Sequence, residues 1–589
     1  MKVAEMHDKE KYCALSLDEM SITPSSEYDT RTGRLMGEVT LPGHSGRATH
    51  AMVFMLSGIS TRWKQTVAYY FTGNSVYGSA SKPNIILNII RKAWEIGLRV
   101  LTVTSDMGAC NRTMWNSFGI CCGRMMKTVN RISHPCSSQK ELSFLADAPH
   151  LMKNLKAALV NGQNITLPDW IVTELGLSCN TVTASHLRTL LTFQSNMQLK
   201  ISPGLTKKTL TPSHFDKMKV SNAMSFFSHS NAAGLEYLVQ AHNHSTDILT
   251  TAWFLKTINR WFDLVSSRHR VTALCLNDPV QYRKAVDFLG TIIHLFETLT
   301  IGDKGAWKPV QTGIILTTQS IINVSDNLLA SGYQFILTSR FTSDCIENLF
   351  SCVRTNNPVP SPLEFKNKLR LLSASQFLRV KTSSSYNISD GAYLADFVSA
   401  NKTADSETDE DFPDVLCFTP VTNSLSDADL ASLYYLAGYI VSRVLKSNRT
   451  CDTCIPAIKC TDNVFVGDHA LLLKLKAYKD GCLVSCTPQV FDMLQQAEKI
   501  FRAVNFNLLH HRKNVRKLLL TKIQEACADC NLPVCHNVKH VIVQRFVTLR
   551  LRIWAKDQRA LLKDQVKRAG NGELGSKSMA MQMAVSKFK

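Results

Sequence analysis

Three carboxylates, Asp18, Asp106 and Glu347, have the type and setting for metal-assisted phosphoryl chemistry. Asp18 follows the stretch YCALSL, Asp106 follows RVLTVTS, and Glu347 lies within SDCIENLFSCVR. Carboxylate oxygens suit hard dications such as Mg²⁺ or Mn²⁺. Two such ions, about 3.5–4 Å apart, can serve the attacking and the leaving oxygen of an in-line displacement. Without metal, mutual repulsion among three acids raises their pKa values, and a bound cation reverses that. Each acid taken alone is better read as an ordinary helix cap or surface group. The set, in this order along the chain, is what points to chemistry.

The elements that must position them follow from apolar patterning. Residues 12–17 read as a strand ending in Asp18-Glu19-Met20, and Asp29, Thr30, Thr32 and Gly33 supply turn chemistry after it. Residues 35–40 read as a returning strand and residues 50–56 (HAMVFML) as a third, followed by Arg62 and Lys64. Pro83 opens a helix in which Ile85, Ile86, Ile89, Ile90, Ala93 and Trp94 fall at helical spacing, and Gly97 ends it. The chain then enters the β-branched strand that stops at Asp106. The order β-β-β-α-β, with acids closing the first and fourth strands, is that of a ribonuclease H-like fold. A carboxylate at the carboxyl end of a buried strand sits where α/β sheets place their chemistry. A second helix is expected near residues 114–118 and a fifth strand over 142–146, ending in Asp147-Ala148-Pro149-His150.

Residues 343–354 read as an amphipathic helix, with Ile346, Leu349, Phe350 and Val353 on its apolar face and Glu347 at the edge of that face. Ser343 or Asp344 caps it; Asp344 is otherwise a further ligand. Asp147 and His150 either orient substrate or form a structural turn, and the turn is the simpler reading. The expected organisation is therefore an α/β ribonuclease H-like core interrupted by a mostly α-helical insertion domain and followed by an α-helical C-terminal domain. The core occupies residues 10–150 and resumes over 336–380; the insertion spans 151–335. In the insertion Trp253, Phe254, Ile258, Trp261, Phe262 and Leu264 read as core rather than a base-stacking platform. Residues 381–424, Ser/Thr-rich and then acidic, are an expected flexible linker. The C-terminal domain, 425–589, should hold helices near 433–444, 489–504, 507–526 and 538–562. Arg545, Arg550, Arg552, Lys556 and Arg559 stud the last of these, before a basic tail.

The formal charge of +20 favours a polyanionic partner, nucleic acid foremost. Hydrophobic residues at 45% against 19% charged are enough for folded cores. Eighteen cysteines without a short secreted framework suit a reducing compartment. No signal peptide or membrane span is expected. Cys451-x-x-Cys454 has the spacing of a zinc half-site, and Cys527, Cys530, Cys535, His536 or His540 could supply the other half. The expected structural zinc set is Cys451, Cys454, Cys527 and His540, against the alternative of simple reduced thiols; Cys482 and Cys486 read as buried thiols.

LSLDEM, TSDMGACNRTMW, FLADAPHLMKNLKAAL and SDCIENLFSCVR together resemble the P-element transposase family, including the THAP-type transposase-derived proteins of animals. The likeness runs from about Tyr12 to the C-terminal helices. It implies a DD(E/D)-type DNA transposase whose acids are Asp18, Asp106 and Glu347. It also implies an insertion that binds GTP within residues 151–335, GTP as an assembly cofactor, a C-terminal Cys/His cluster and action as a homo-oligomer on DNA in the nucleus. No G-x-x-x-x-G-K-[ST] phosphate loop occurs; Gly43-His44-Ser45-Gly46-Arg47 reads as a basic turn and Asn277-Asp278-Pro279 as another, so no GTP contact is assigned. The family begins with a zinc-binding THAP domain and a dimerising segment, and with Met1 only 17 residues before Asp18 both are expected to be missing here. A fragment, a misplaced start or a derived protein would each account for that. The rival to an active transposase is a transposon-derived protein that binds DNA or other proteins and catalyses nothing.

Overall fold

The computed structural model describes residues 3–73, 81–213, 216, 219–355, 357–378, 424–447, 451–460, 467–478, 481–504, 506 and 514–569. The expected linker and basic tail lie outside these residues, apart from residue 424. The described chain divides into two compact units. The first holds Met1–Thr189, Gly204–Leu235 and Asn243–Asp405; the second holds Leu190–Pro203, Glu236–His242 and Ser406–Lys589.

The first unit is built on a mixed sheet. Its strands are β1 (Tyr12–Ser21), β2 (His50–Gly58), β3 (Lys64–Thr72), β4 (Arg99–Ser105), β5 (Arg131–His134) and β6 (Ser137–Ala146). Their spatial order is β3-β2-β1-β4-β6-β5. β1 runs antiparallel to β2 and parallel to β4, and β4 runs parallel to β6. Helix α1 (Ser81–Glu95) makes the crossover from β3 to β4, and α2 (Ala109–Ser117) follows Asp106. This is the ribonuclease H-like core.

The sheet departs from the sequence reading: β1 does not stop before Asp18 but runs through it to Ser21, and β5 is a further edge strand. Residues 35–40 do not return into the sheet: Arg34–Met36 pairs only with Glu27–Asp29, in a small hairpin apart from it. The third strand of the core is instead β3, KQTVAYYFT, an edge strand whose first residues are exposed. Its Lys and Gln suit a sheet edge and hide the strand signal that Val67, Tyr69, Tyr70 and Phe71 carry.

After β6 the chain enters α3 (Ala148–Val160), then helices that include α4 (Ile248–Val265), α5 (Pro279–Thr298) and α6 (Pro309–Ala330). Phe254, Ile258 and Trp261 of α4 are fully buried, and Trp261 Nε1 donates to Thr318 Oγ1 of α6 at 2.9 Å, so this aromatic stripe is core. Helix α6 lies along β6: Thr317 Oγ1 donates to Ala146 O at 2.8 Å, and Ser320 Oγ to Phe144 O at 2.7 Å. The approach is close enough that a Cβ on Gly313 would meet Leu151 Cδ2 at 2.4 Å and Met107 Cγ at 3.1 Å.

Helices α7 (Asp344–Val353) and α8 (Pro362–Leu378) return to the sheet. Ile346, Leu349, Phe350 and Val353 of α7 and Phe365 of α8 pack in one core with Met20, Val53, Met55 and Phe71 of β1–β3. The second unit is helical: α9 (Asp427–Leu445), α10 (Cys454–Ile458), α11 (Pro488–Ala503), α12 (Val515–Ala526) and α13 (Val538–Ala569). A core of Leu433, Ile440, Leu494, Phe501, Ile523 and Phe546 joins them. Among the described residues, no helix is long and apolar enough to cross a membrane.

Candidate active site

Sheet register brings the two aspartates level. Ser16 of β1 pairs with Thr104 of β4. Asp18 and Asp106 each lie two residues further along these parallel strands, so both reach past the carboxyl end of β4 on neighbouring tracks. Helix α7 sets Glu347 against them. All three line one cleft of about 640 Å³, together with His150 and Lys153 of α3 and Arg354 just after α7.

The surroundings give each acid a different character. Burial pushes the Asp18 carboxyl up to about 7, with Glu347 and Asp106 adding repulsion, against the pull of His150 and the Glu19 backbone N–H. That N–H donates to Asp18 Oδ1 at 2.8 Å. Asp106 Oδ1 accepts from Gly108 N at 3.0 Å and from Asn111 Nδ2 at 2.5 Å, which fixes its rotamer. Hydrogen bonding to His150 holds Glu347 below its ordinary value, with His150 Nε2 3.5 Å from Glu347 Oε1. Burial pulls the His150 imidazole down, but Glu347, Asp147 and Asp18 together outweigh it and raise it.

Asp147 organises the approach of these elements. It is 1% exposed. Its Oδ2 accepts from His150 N at 3.2 Å, capping α3, and its Oδ1 accepts from Ser343 N at 2.7 Å, at the start of α7. Asp147 is thus a structural turn residue, whereas His150 lines the cleft. A second tie comes from Thr104 Oγ1, which donates to Phe341 O at 2.8 Å. Asp344 faces away from the cleft lining and pairs with Arg268 Nη2 at 2.5 Å.

Lys153, Asn111 and Arg354 were not singled out from sequence. A signal for Lys153 exists: His150, Lys153, Asn154 and Ala157 recur at helical spacing and all line the cleft. Asp278 caps α5, accepting from Gln281 N at 3.0 Å, so Asn277-Asp278 is a helix-start turn. On another face of α3, Met152 lines a smaller cleft of about 360 Å³ within the insertion, with Ser225, Ser228, Asn259 and Asp263.

In the second unit the zinc expectation is corrected. Cys451 and Cys454 meet Cys535 and His536, whose ligand atoms all lie within 4.8 Å of one another. Cys527 and His540 point elsewhere, the first toward Met493 O at 3.6 Å and the second toward Gln524 Nε2 at 2.5 Å. The adjacent pair Cys535-His536 sits in the turn before α13, whereas His540 lies inside that helix and is held on its α12-facing side. Cys486 is buried as expected, but Cys482 is exposed. Arg550 does not join the basic face of α13: it is 1% exposed, with Nε 2.7 Å from Glu498 Oε2. Arg545 and Arg552 do line an open groove of about 410 Å³, with Arg443 and Arg516.

Three family models match successive parts of the chain. They are "TNP-like, RNase H N-terminal domain" over residues 1–119, "TNP-like, GTP-binding insertion domain" over 150–277 and "DNA transposase THAP9, C-terminal domain" over 421–550. The chain is 26% identical over 372 residues to "Transposable element P transposase" of Drosophila melanogaster, covering 62% of this chain and 45% of that protein. It is 25% identical over 517 residues to "DNA transposase THAP9" of Homo sapiens, covering 80% of this chain and 53% of that protein. It thus spans about half the length of these curated relatives. Among solved structures, the "Drosophila P element transposase strand transfer complex" matches in fold with a TM-score of 0.53 at 24% identity, covering 65% of this chain and 80% of that one.

Proposed function

Since the chain belongs to the P-element transposase-like family, we propose that it is a DNA transposase, cutting and joining phosphodiester strands with the help of divalent metal. The observation that supports this most is the convergence of Asp18, Asp106 and Glu347 on one cleft at the end of paired strands. The donor set fits a hard dication. It is all carboxylate oxygen, and in the absence of a cation burial, with added repulsion from Glu347 and Asp106, raises Asp18 to about 7. Asp18, Asp106 and Glu347 would hold Mg²⁺ or Mn²⁺, which when bound supplies charge stabilisation at the phosphoryl oxygens and acidifies bound water.

The chain's own residues do the positioning. β1 and β4 hold two carboxylates on adjacent tracks, and the Asp147 tie holds α7, and so Glu347, beside them. Lys153 and Arg354 bring positive charge to the cleft, where a phosphodiester would lie. Water is the nucleophile for cleavage and a DNA 3′-hydroxyl for joining, each attacking in line. The substrate is DNA, for which a charge of +20 is suited. GTP binds the insertion and serves assembly of a homo-oligomer on DNA, not as fuel, and the work is done in the nucleus.

The test is cleavage of a labelled duplex, taken from the sequence flanking the gene, by wild-type protein and Asp106→Asn with Mg²⁺ and GTP. Wild type should cut; the variant should bind DNA and not cut. A variant that cuts at the wild-type rate removes this assignment of the acids. Failure of both to cut, with both folded and bound to DNA, leaves a transposon-derived DNA-binding protein.

A further inference from the structure

We infer that Cys451, Cys454, Cys535 and His536 form a structural zinc site that fastens the start of α13 to the start of α10. The sulfur atoms lie 3.7 Å (Cys451–Cys454), 3.6 Å (Cys451–Cys535) and 3.2 Å (Cys454–Cys535) apart. His536 Nδ1 lies 3.5 Å from Cys454 Sγ and 3.3 Å from Cys535 Sγ. A tetrahedron with Zn–S of about 2.3 Å has S–S edges of about 3.8 Å, and one Zn–N of about 2.0–2.1 Å shortens the edges that meet it to about 3.5 Å. The four donor atoms therefore already stand close to the corners zinc requires.

The chemistry of the set selects the metal. Three thiolates and an imidazole are soft and borderline donors, which suit zinc and not Mg²⁺ or Ca²⁺. With all four positions filled by protein, the site is closed and structural. A disulfide between Cys454 and Cys535 would use two of the four groups and leave Cys451 and His536 gathered there for no purpose.

Position gives the site its role. Cys451 and Cys454 bracket the turn that leads into α10, of which Cys454 is the first residue, and His536 lies two residues before α13, with Asn537 in the left-handed region at φ 49° between them. Fixing His536 fixes where α13 begins, and hence which face Arg545 and Arg552 present. Val538, the first residue of α13, is 1% exposed, so the helix leaves the zinc directly into the core.

The full chain, purified without chelator, should carry one zinc by elemental analysis. Exchange for cobalt should give thiolate charge-transfer absorption and the visible bands of a tetrahedral ion. Cys535→Ser should lose the zinc, because the exposed Cys535 contributes ligation and little packing; Cys527→Ser and His540→Ala should keep it. Chelation should lower the melting temperature of the wild type and leave Cys535→Ser unchanged. Folded wild type with neither zinc nor cobalt charge-transfer bands overturns the site. Retention of zinc by Cys535→Ser, or its loss from both Cys527→Ser and His540→Ala, overturns the ligand set. Should Cys535→Ser fail to fold, the cobalt spectrum of the wild type decides alone.

Discussion

The carboxylate of Asp147 accepts a hydrogen bond from the backbone N–H of Ser343 at 2.7 Å, joining positions 196 residues apart in the chain. One buried side chain thus closes the gap between the end of β6 and the helix that bears Glu347. Asp147→Ala removes an N-cap and orphans a buried amide, a loss of about 2–4 kcal/mol in the unfolding free energy of the first unit. Because α7 then loses its tie, metal-dependent DNA cleavage should fall by roughly 10²-fold, the scale of a 1 Å misplacement. Urea melts and cleavage rates measured on the same preparation check both; unchanged cleavage in a destabilised protein would show that α7 is held by its packing alone.

If the proposed site takes Mg²⁺, Asp18 should make the resulting stabilisation depend on pH. Its pKa stands at about 7 in the metal-free fold, above its ordinary value of 3.8. The folded chain therefore binds more protons than the unfolded chain between those values, and the metal-free protein loses stability as pH rises through them. A cation needs the carboxylate ionised, so at low pH it must displace a proton. The rise in melting temperature caused by Mg²⁺ should be larger at pH 8 than at pH 5.5, and Asp18→Asn should abolish the difference. A pH-independent rise in the wild type would place the cation elsewhere.

Glu498 is fully buried between two arginines. Its carboxylate bonds Arg550 Nε at 2.7 Å and Arg502 Nε at 2.8 Å, and Arg550 Nη2 also reaches Gln198 Oε1 at 2.8 Å. Glu498→Gln leaves a buried guanidinium uncompensated and should destabilise the second unit by about 3–5 kcal/mol. Replacing Glu498 and Arg550 together by Met should recover most of that loss, since the desolvation of both charges is then relieved. Chemical denaturation of the wild type and the two variants is the measurement.

The groove lined by Arg443, Arg516, Arg545 and Arg552 should report itself through salt. Each phosphate neutralised contributes about 0.9 to the slope of log affinity against log salt concentration on duplex DNA. Arg545→Ala with Arg552→Ala should reduce that slope by roughly 1.8, equally for any DNA sequence. Arg550→Ala, by contrast, should act on stability. Filter binding over a salt series distinguishes them; an unchanged slope in the double variant takes DNA off this face.

Much of this was legible because burial writes a simple code. Val100, Val103 and their neighbours announce β4, which ends just before Asp106; Asp18 lies inside β1 and not at its end, yet past the last residue paired with β4, so adjacency of the two strands still gives the acids a shared cleft. The apolar stripe of α7 likewise gives the side on which Glu347 must lie. Edge strand β3 was illegible because a strand paired on one side needs fewer apolar residues than a central one. Which of Cys527, Cys530, Cys535, His536 and His540 joins Cys451 and Cys454 was illegible for a different reason. Several cysteines and histidines lie within a dozen residues of each other, and only the turn at Asn537 decides that His536, and not His540, faces Cys454. Arg550 sits among exposed basic neighbours, and nothing in its local spacing announces the carboxylate 52 residues away that draws it inside.

Helix α3 borders two clefts on different faces, with His150 and Lys153 in one and Met152 in the other. An α-helix of 13 residues is stiff along its length. Met152 lies between His150 and Lys153 along it, so the walls of the two clefts are opposite sides of a single helical turn.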